Sequence, residues 1–150
     1  MLHLPLIEMQ LRTRCHAGAA AQVWDEIRRQ WVTLTPEEHV RQSLLQYLTQ
    51  RMAYPKSLIA VERGVSVGHT TLRFDAVVFQ RGSVQPWMLI ECKAPEVTLS
   101  VETLQQLLNY HRELSSCRYW LLSNGRQSFC ADCQTPQHIR WLDSLPAYEL

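Results

Sequence analysis

Residues 73–96 read RFDAVVFQRGSVQPWMLIECKAPE, and they decide the fold because two apolar runs are joined there by a short polar turn. Runs of this length, rich in β-branched and aromatic residues, are typical of strands. The RGS turn between them predicts that the two strands pair antiparallel. Asp75 interrupts the first run, and Glu91 and Lys93 end the second. Charged residues are rarely buried without partners, so these three positions need a physical explanation.

Strand patterns also dominate the chain on both sides of this stretch. The run at 57–67 extends the pair to an antiparallel meander of three strands. Near the other end, Asn124-Gly125 predicts a tight hairpin turn. The run at 23–34 is long, and we expect it to bend or to form a hairpin at its charged middle. The predicted strands are 6–12, 23–34, 57–67, 71–80, 85–94, 118–125 and 126–132.

Two amphipathic helices separate these strands. The first begins at Pro36, because Thr35 supplies a capping hydroxyl and Glu38 follows three residues later. The second follows Ser100, and its apolar residues recur on one stripe. A helix that returns the chain from a meander to a further strand predicts a mixed sheet. The expected fold class is therefore α/β, with an antiparallel meander in a mixed central sheet flanked by helices.

Composition limits the kind of protein that the chain can be. Its 150 residues are 46% apolar, and no repeat or linker divides them, so we expect residues 1–150 to form one domain. A formal net charge of +1 gives no global positive field, and any nucleic-acid contact must be local. The first residues contain neither a secretory signal nor a membrane span, and five scattered cysteines favour a reducing cytoplasm. Cys130 and Cys133 lack the second ligand pair that a structural zinc site needs, so buried cysteines are the preferred interpretation.

The charged residues of the central stretch share one side of the predicted sheet. Alternation along the strand puts Glu91 and Lys93 on one face and Cys92 on the other. If the preceding strand pairs through the short connection, Asp75 lies across from them and two carboxylates converge. Carboxylates this close raise the pKa of one of them unless a cation lies between them.

A divalent ion would account for this arrangement. Mg²⁺, or Mn²⁺, suits a site of two carboxylates and one backbone carbonyl, for which the carbonyl of Cys92 is well placed. Such an ion acidifies a bound water and neutralises charge on a phosphodiester, while Lys93 orients that water or stabilises developing negative charge. On spacing alone, the alternative is a charged strand end with a Glu91–Lys93 ion pair at the surface.

Six stretches, in chain order, carry a resemblance to known nucleases. They are LTPEEHVRQ (34–42), YPKSLIAVER (54–63), RFDAVVF (73–79), LIECKAPEV (89–97), the helix from Gln106 to Tyr110, and LLSNG (121–125). With fifteen residues between Asp75 and Glu91-Cys92-Lys93, this set resembles the PD-(D/E)XK nuclease superfamily, which implies a restriction-endonuclease-like fold. It is most similar to the N-terminal nuclease domain of type I restriction enzyme R subunits, as found in small stand-alone bacterial proteins. The chain departs from the superfamily motif at Phe74, where the motif has proline.

The resemblance implies roles for these residues. Asp75 and Glu91 would be metal ligands, and Lys93 the catalytic lysine. Gln106 and Tyr110 match a QxxxY element, whose spacing puts both on one helical face, and they would support the site or contact DNA. The alternative is that Tyr110 caps a core stripe and Gln106 is solvated.

The first helix is a further source of site residues, because many superfamily members project a glutamate from it toward the metal. Glu37 lies above the inward apolar stripe and is the better candidate, since the capping box explains Glu38. Acids in the first turn of a helix are also common for purely structural reasons. Arg41 is a candidate partner of Glu37, and Arg73 is a candidate for contacting phosphate or bracing Asp75.

Two functions of different class follow from these interpretations. The first is a metal-dependent endonuclease that hydrolyses phosphodiester bonds, with DNA the expected substrate, in restriction or repair. No GxxxxGK[ST] loop occurs, so ATP is not an expected ligand. Nucleases with one site commonly pair to cut both strands, which is compatible with a homodimer. The second is a catalytically silent module that binds DNA or protein, favoured by the near-neutral charge and disfavoured by the complete set of Asp75, Glu91 and Lys93.

Overall fold

A small antiparallel sheet comes first in the chain. The computed structural model describes residues 1–114, 117–135 and 137–148, except for the side chains of Val67 and residues 110–114. Strands β1 (Thr13–Arg14), β2 (Gln22–Asp25) and β3 (Gln30–Thr33) pair in that order. The pattern at 23–34 is therefore a hairpin, which was one of its two expected forms.

The predicted strand at 6–12 is wrong. Leu6–Glu8 forms a single 3₁₀ turn, in which the Glu8 N–H donates to the Pro5 carbonyl at 3.0 Å. Pro5 favours this turn because its φ is fixed near the value that a turn requires. The Glu8 N–H is then satisfied within the turn and does not need a partner strand. Leu6 is buried in the main core and Ile7 is exposed. A single turn therefore gives the same alternation of buried and exposed residues that a strand would give.

Helix α1 (Pro36–Gln50) begins where the sequence predicts. The Thr35 Oγ1 accepts a hydrogen bond from the Glu38 N–H at 3.1 Å, and Pro36 occupies the first turn, where its missing N–H costs nothing. Val40 and Leu44 are buried in the core beneath the helix. Within the described ranges, no helix has the length and apolar content of a membrane span.

The central sheet has six strands and is mixed, as expected. Its strands are β4 (Ile59–Val67), β5 (Thr70–Phe79), β6 (Pro86–Cys92), β7 (Tyr119–Ser123), β8 (Ser128–Asp132) and β9 (Arg140–Trp141), and they lie side by side in that order. β6 and β7 are parallel, and the other neighbours are antiparallel. The predicted meander is formed by β4, β5 and β6, and the predicted hairpin at the Asn124-Gly125 turn is formed by β7 and β8.

The helices cover opposite faces of this sheet. Tyr119 and Leu121 of β7 belong to the apolar cluster beneath α1. Their neighbours Trp120 and Leu122 belong to clusters that include residues of α2 (Val101–Leu114). Alternation along the strand therefore separates the two cores. Helix α2 also links β6 to its parallel neighbour β7, as a crossover must.

Candidate active site

Asp75, Glu91 and Lys93 meet where β5 and β6 separate. The pairing of these strands ends at Ala76 and Ile90, so Asp75 lies one step beyond the last pair and opposite Glu91. In place of a backbone acceptor, the Asp75 Oδ2 accepts a hydrogen bond from the Cys92 N–H at 2.7 Å. This bond holds the Asp75 carboxylate beside the end of β6.

Glu91 is a partly buried acid with an altered affinity for protons. Burial raises the pKa of Glu91 to about 8, and the negative charges of Asp75 and Glu37 and a hydrogen bond with Asp75 act in the same direction. The positive charge of Lys93 acts against them. Asp75 and Glu91 thus form a pair of acids, called the acid pair below, whose charge a proton or a cation must balance.

The acid pair fits a small divalent ion better than a metal that requires a full protein cage. Among the residues that the structure describes, no group of three or more His, Cys, Asp and Glu side chains could hold a metal. Mg²⁺ needs no such group, because it keeps several waters and binds proteins through one or two carboxylates. The donor set here, two acids in contact, matches that requirement.

The Cys92 side chain confirms the alternation along β6. Its thiol is buried in the core on the α1 side of the sheet, and burial raises its pKa well above the usual value. Lys93 is partly buried, and its N–H donates to the Ser123 carbonyl at 2.9 Å, which fixes the backbone just beyond β6. The end of β6 is therefore held on both sides, by Asp75 and by Ser123.

Replacing Glu91 by glutamine is expected to remove a pH dependence from the stability of the metal-free protein. The pKa of Glu91 is about 8 in the folded state and near 4.5 without its surroundings. The stabilisation linked to its proton is complete below pH 4.5 and is lost as pH rises through about 8. Between these values the free energy of unfolding should fall by up to ~1.4 kcal/mol per pH unit. Urea denaturation of both proteins in EDTA would measure this, and parallel pH profiles would contradict it.

A buried network of charges connects α1 to the acid pair. The Arg41 Nη1 lies 3.3 Å from the Asp75 Oδ1, and its Nη2 lies 2.6 Å from the Glu38 Oε1. Glu38 also accepts hydrogen bonds from Arg28 at 3.0 Å and from Gln42 at 3.1 Å. Burial alone would raise the pKa of Glu38, but the hydrogen bonds from Arg41, Gln42 and Arg28 hold it below the usual value. Glu38 is therefore a charged carboxylate held by two guanidinium groups.

The turn between β2 and β3 supplies the other part of this network. Asp25 is fully buried, and its carboxylate accepts hydrogen bonds from the N–H groups of Ile27 and Arg28, from Arg28 Nε at 2.6 Å and from Gln42 Nε2 at 2.8 Å. Sequence reasoning did not identify Asp25 or Arg28. Their only local signal is an aspartate three residues before an arginine in a hairpin turn. The partner Gln42 lies on another element, which the local pattern cannot reveal.

Glu62 lies beside the network in an unusual backbone conformation. Its φ is 53°, and the pairing of β4 with β5 omits Glu62 and Asp75. The Glu62 carboxylate is 3.3 Å from Arg28 and 3.6 Å from Arg41. A positive φ is unfavourable for a residue with a side chain, and it persists where the surroundings enforce it. The β4–β5 pairing is therefore interrupted beside Asp75. On the other side of β5, the Asp75 carboxylate accepts the Cys92 N–H in place of a backbone carbonyl.

Three sequence expectations about charged partners need correction. Arg41 pairs with Glu38 and not with Glu37, because Glu38 is the buried glutamate of the first turn and Glu37 is exposed. The Glu38 carboxylate therefore binds Arg41, and Glu38 contributes to the helix cap through its backbone N–H, which donates to Thr35. Arg73 is 72% exposed and lies 3.5 Å from Glu62, so the arginine that braces Asp75 is Arg41, whereas a contact of Arg73 with phosphate stays a prediction.

The remaining candidates lie around the acid pair in different ways. Glu37 is exposed but close enough for its charge to raise the pKa of Glu91, so it is a rim residue of the site. Gln106 is exposed on α2, as predicted by the alternative interpretation in which its side chain is solvated. The side chain of Tyr110 lies outside the described residues. The function of each of these residues stays a prediction.

Comparison with known protein families identifies a match over most of the chain. The model of the family described as type I restriction enzyme R protein N terminus matches residues 36–146. The matched range contains α1, the whole central sheet and the acid pair, and it excludes β1, β2 and β3. No curated protein and no solved structure matches the chain.

Proposed function

Because the chain belongs to the family of type I restriction enzyme R protein N-terminal domains, we propose that it is a metal-dependent endonuclease that hydrolyses phosphodiester bonds in DNA. The observation that carries the proposal is the contact between Asp75 and Glu91 at the end of β6, with Lys93 close enough to lower the pKa of Glu91. The homodimer expected from the sequence stays a prediction, as does the biological role in restriction or repair.

Asp75 and Glu91 are the proposed ligands of Mg²⁺ or Mn²⁺, with the carbonyl of Cys92 as a third ligand and Glu37 at the rim. A bound ion would lower the pKa of a coordinated water and neutralise charge on the reacting phosphate. The Asp75 carboxylate can take this role although Arg41 and the Cys92 N–H already bond to it. Each of its oxygens accepts one of those bonds and keeps a further lone pair.

The chain's own residues supply orientation and positive charge. Arg41 and the Cys92 N–H bond to different oxygens of Asp75, which fixes the plane of this carboxylate before any substrate arrives. Lys93 extends from the backbone that Ser123 holds, and its charge acts on Glu91. Its ammonium would orient the attacking water or donate to the oxygens that gain negative charge.

The second candidate is a binding module on the same fold, without catalysis. The contact of 3.3 Å between Arg41 and Asp75 favours it, because a permanent cation already balances part of the charge of the acid pair. Metal binding separates the two candidates, since only the nuclease requires it.

Titration calorimetry with Mn²⁺ is expected to show binding that depends on both acids. Asp75→Asn and Glu91→Gln should each weaken the affinity by at least about tenfold, because each removes a charged ligand. Asp132→Asn is the matched control, since Asp132 on β8 is also an aspartate paired with arginines and is even more buried than Asp75. Equal Mn²⁺ affinity in all four proteins would exclude this metal site.

Cleavage of circular DNA tests the activity itself. The purified protein should nick or linearise DNA with Mg²⁺ or Mn²⁺, and EDTA should abolish the reaction. Duplex, single-stranded and branched substrates are compared, because the fold does not specify the form of the DNA. Normal Mn²⁺ binding without cleavage of any of these substrates would favour the binding module.

A further inference from the structure

Two arginine and two tryptophan side chains lie together on the small sheet formed by β1, β2 and β3. Trp24 and Trp31 are cross-strand partners, with ring centroids 5.5 Å apart in an edge-to-face arrangement. The Arg12 guanidinium lies 5.3 Å and 5.2 Å from these two centroids, and that of Arg14 lies 4.2 Å from the centroid of Trp31. Both arginines are exposed and both rings are partly exposed. Surfaces that combine aromatic faces with cations bind single-stranded nucleic acid, because bases stack and phosphates are attracted.

A groove of about 110 Å³ lies where this sheet meets α1. Trp24 and Arg12 contribute to its lining from the sheet, Gln46 contributes from α1, and Lys56 and Glu26 line it too. The cations outnumber the acid among these five residues. The groove therefore offers an aromatic surface and positive charge together, which matches a base and its phosphate.

One buried atom of the groove is an unused acceptor. The Gln46 Nε2 donates to the Gln10 carbonyl at 2.9 Å, whereas its Oε1 is buried and has no hydrogen-bond partner in the described part of the chain. A buried acceptor without a donor costs free energy and usually has a reason. The exocyclic amino group of a nucleobase is a donor of the required kind, and Gln46 and Trp24 line the same groove.

A series of hydrogen bonds connects the groove to the acid pair. Asp25 directly follows Trp24 and bonds to Gln42, another residue of the groove lining. Arg28, in the same turn, reaches Glu38, which is bonded to Arg41, the residue that contacts Asp75. Two of these bonds are buried and two are partly buried, and together they link the small sheet to the acid pair through α1.

We propose that this groove, with the adjoining Arg12, Arg14, Trp24 and Trp31, binds an unpaired segment of DNA and holds it next to the candidate active site. The segments that form the small sheet lie outside the range that matches the family, so this contact adds to what the family match covers. The inference rests on the proposed function only in taking DNA as the substrate.

Binding is tested on the Lys93→Met variant in EDTA, so that the measurement needs neither cleavage nor metal. Fluorescence anisotropy compares a labelled single strand of about ten nucleotides with an abasic strand of the same length and charge. The strand with bases should bind at least about tenfold more tightly, because only it can stack. Trp24→Leu and Arg14→Gln, added separately, should weaken its binding about tenfold and five- to tenfold respectively. Arg140→Gln, on β9 at the edge of the other sheet, is the matched control and should bind like the parent.

Two results would overturn the proposal. One is equal affinity for the strand with bases and the abasic strand, which would leave only phosphate attraction. The other is unchanged affinity in both Trp24→Leu and Arg14→Gln, with circular dichroism like that of the parent. Arg14 is exposed, so its variant remains informative even if the replacement of Trp24 disturbs folding. Since no cleavage is involved, this result is independent of whether the nuclease assay succeeds.

Discussion

Lys93→Met is expected to reduce the rate of DNA cleavage by about 100- to 1000-fold while leaving the affinity for Mn²⁺ nearly unchanged. The Lys93 side chain has no oxygen that could bind a metal, so removing its ammonium leaves the proposed ligands Asp75 and Glu91 in place. What is lost is a fixed positive charge beside Glu91, where negative charge would develop on the reacting phosphate. Single-turnover cleavage with Mg²⁺ and calorimetry with Mn²⁺ measure the two quantities separately.

A matched variant distinguishes local chemistry from loss of positive charge in general. Arg140→Met removes a cation that is 67% exposed on β9, and it should cleave DNA at the parental rate. If Lys93→Met also cleaves at the parental rate, Lys93 has no part in the reaction. If Lys93→Met loses Mn²⁺ binding as well as cleavage, the lysine acts by maintaining the metal site, and the catalytic role assigned to it is wrong.

The meeting of Asp75, Glu91 and Lys93 could be predicted because its determinants are local. Alternation along one strand places Glu91 and Lys93 on the same face, and a short turn brings the preceding strand alongside. Sequence could not show, however, that pairing stops at Ala76 and that the Asp75 carboxylate accepts the Cys92 N–H instead. The β4–β5 ladder is also interrupted beside Asp75, at Glu62, whose positive φ no sequence pattern indicates.

The charged network was missed for a different reason. Glu37 and Glu38 are neighbours in the first turn of α1, and the helical pattern alone favoured Glu37 as the inward residue. The structure buries Glu38, because Arg28 reaches it from the β2–β3 turn and Arg41 reaches it from the next turn of α1. The choice between two adjacent acids is thus made by an arginine on a separate element.

Arg41→Met is expected to lower the free energy of unfolding by about 3 to 5 kcal/mol, because it removes a cation that pairs with the buried carboxylate of Glu38 and the partly buried carboxylate of Asp75. Arg41 is 7% exposed, and its guanidinium lies within 3.3 Å of both Glu38 and Asp75. Methionine preserves much of the apolar stem and supplies no donor. Arg28 still contacts Glu38 at 3.0 Å, so the lower end of this range is expected. Urea denaturation measures the change.

Arg51→Met provides the matched control at the end of the same helix. Arg51 contacts Glu8 at 3.3 Å, the distance found for Arg41 and Asp75, but these two side chains are 49% and 58% exposed. A pair so accessible to water contributes at most about 1 kcal/mol. Adding Glu38→Gln to Arg41→Met should recover part of the lost stability, because the stranded charge is then removed. If Arg41→Met costs no more than Arg51→Met, or if the double variant is as unstable as the sum of its parts, the network does not hold α1 to the acid pair.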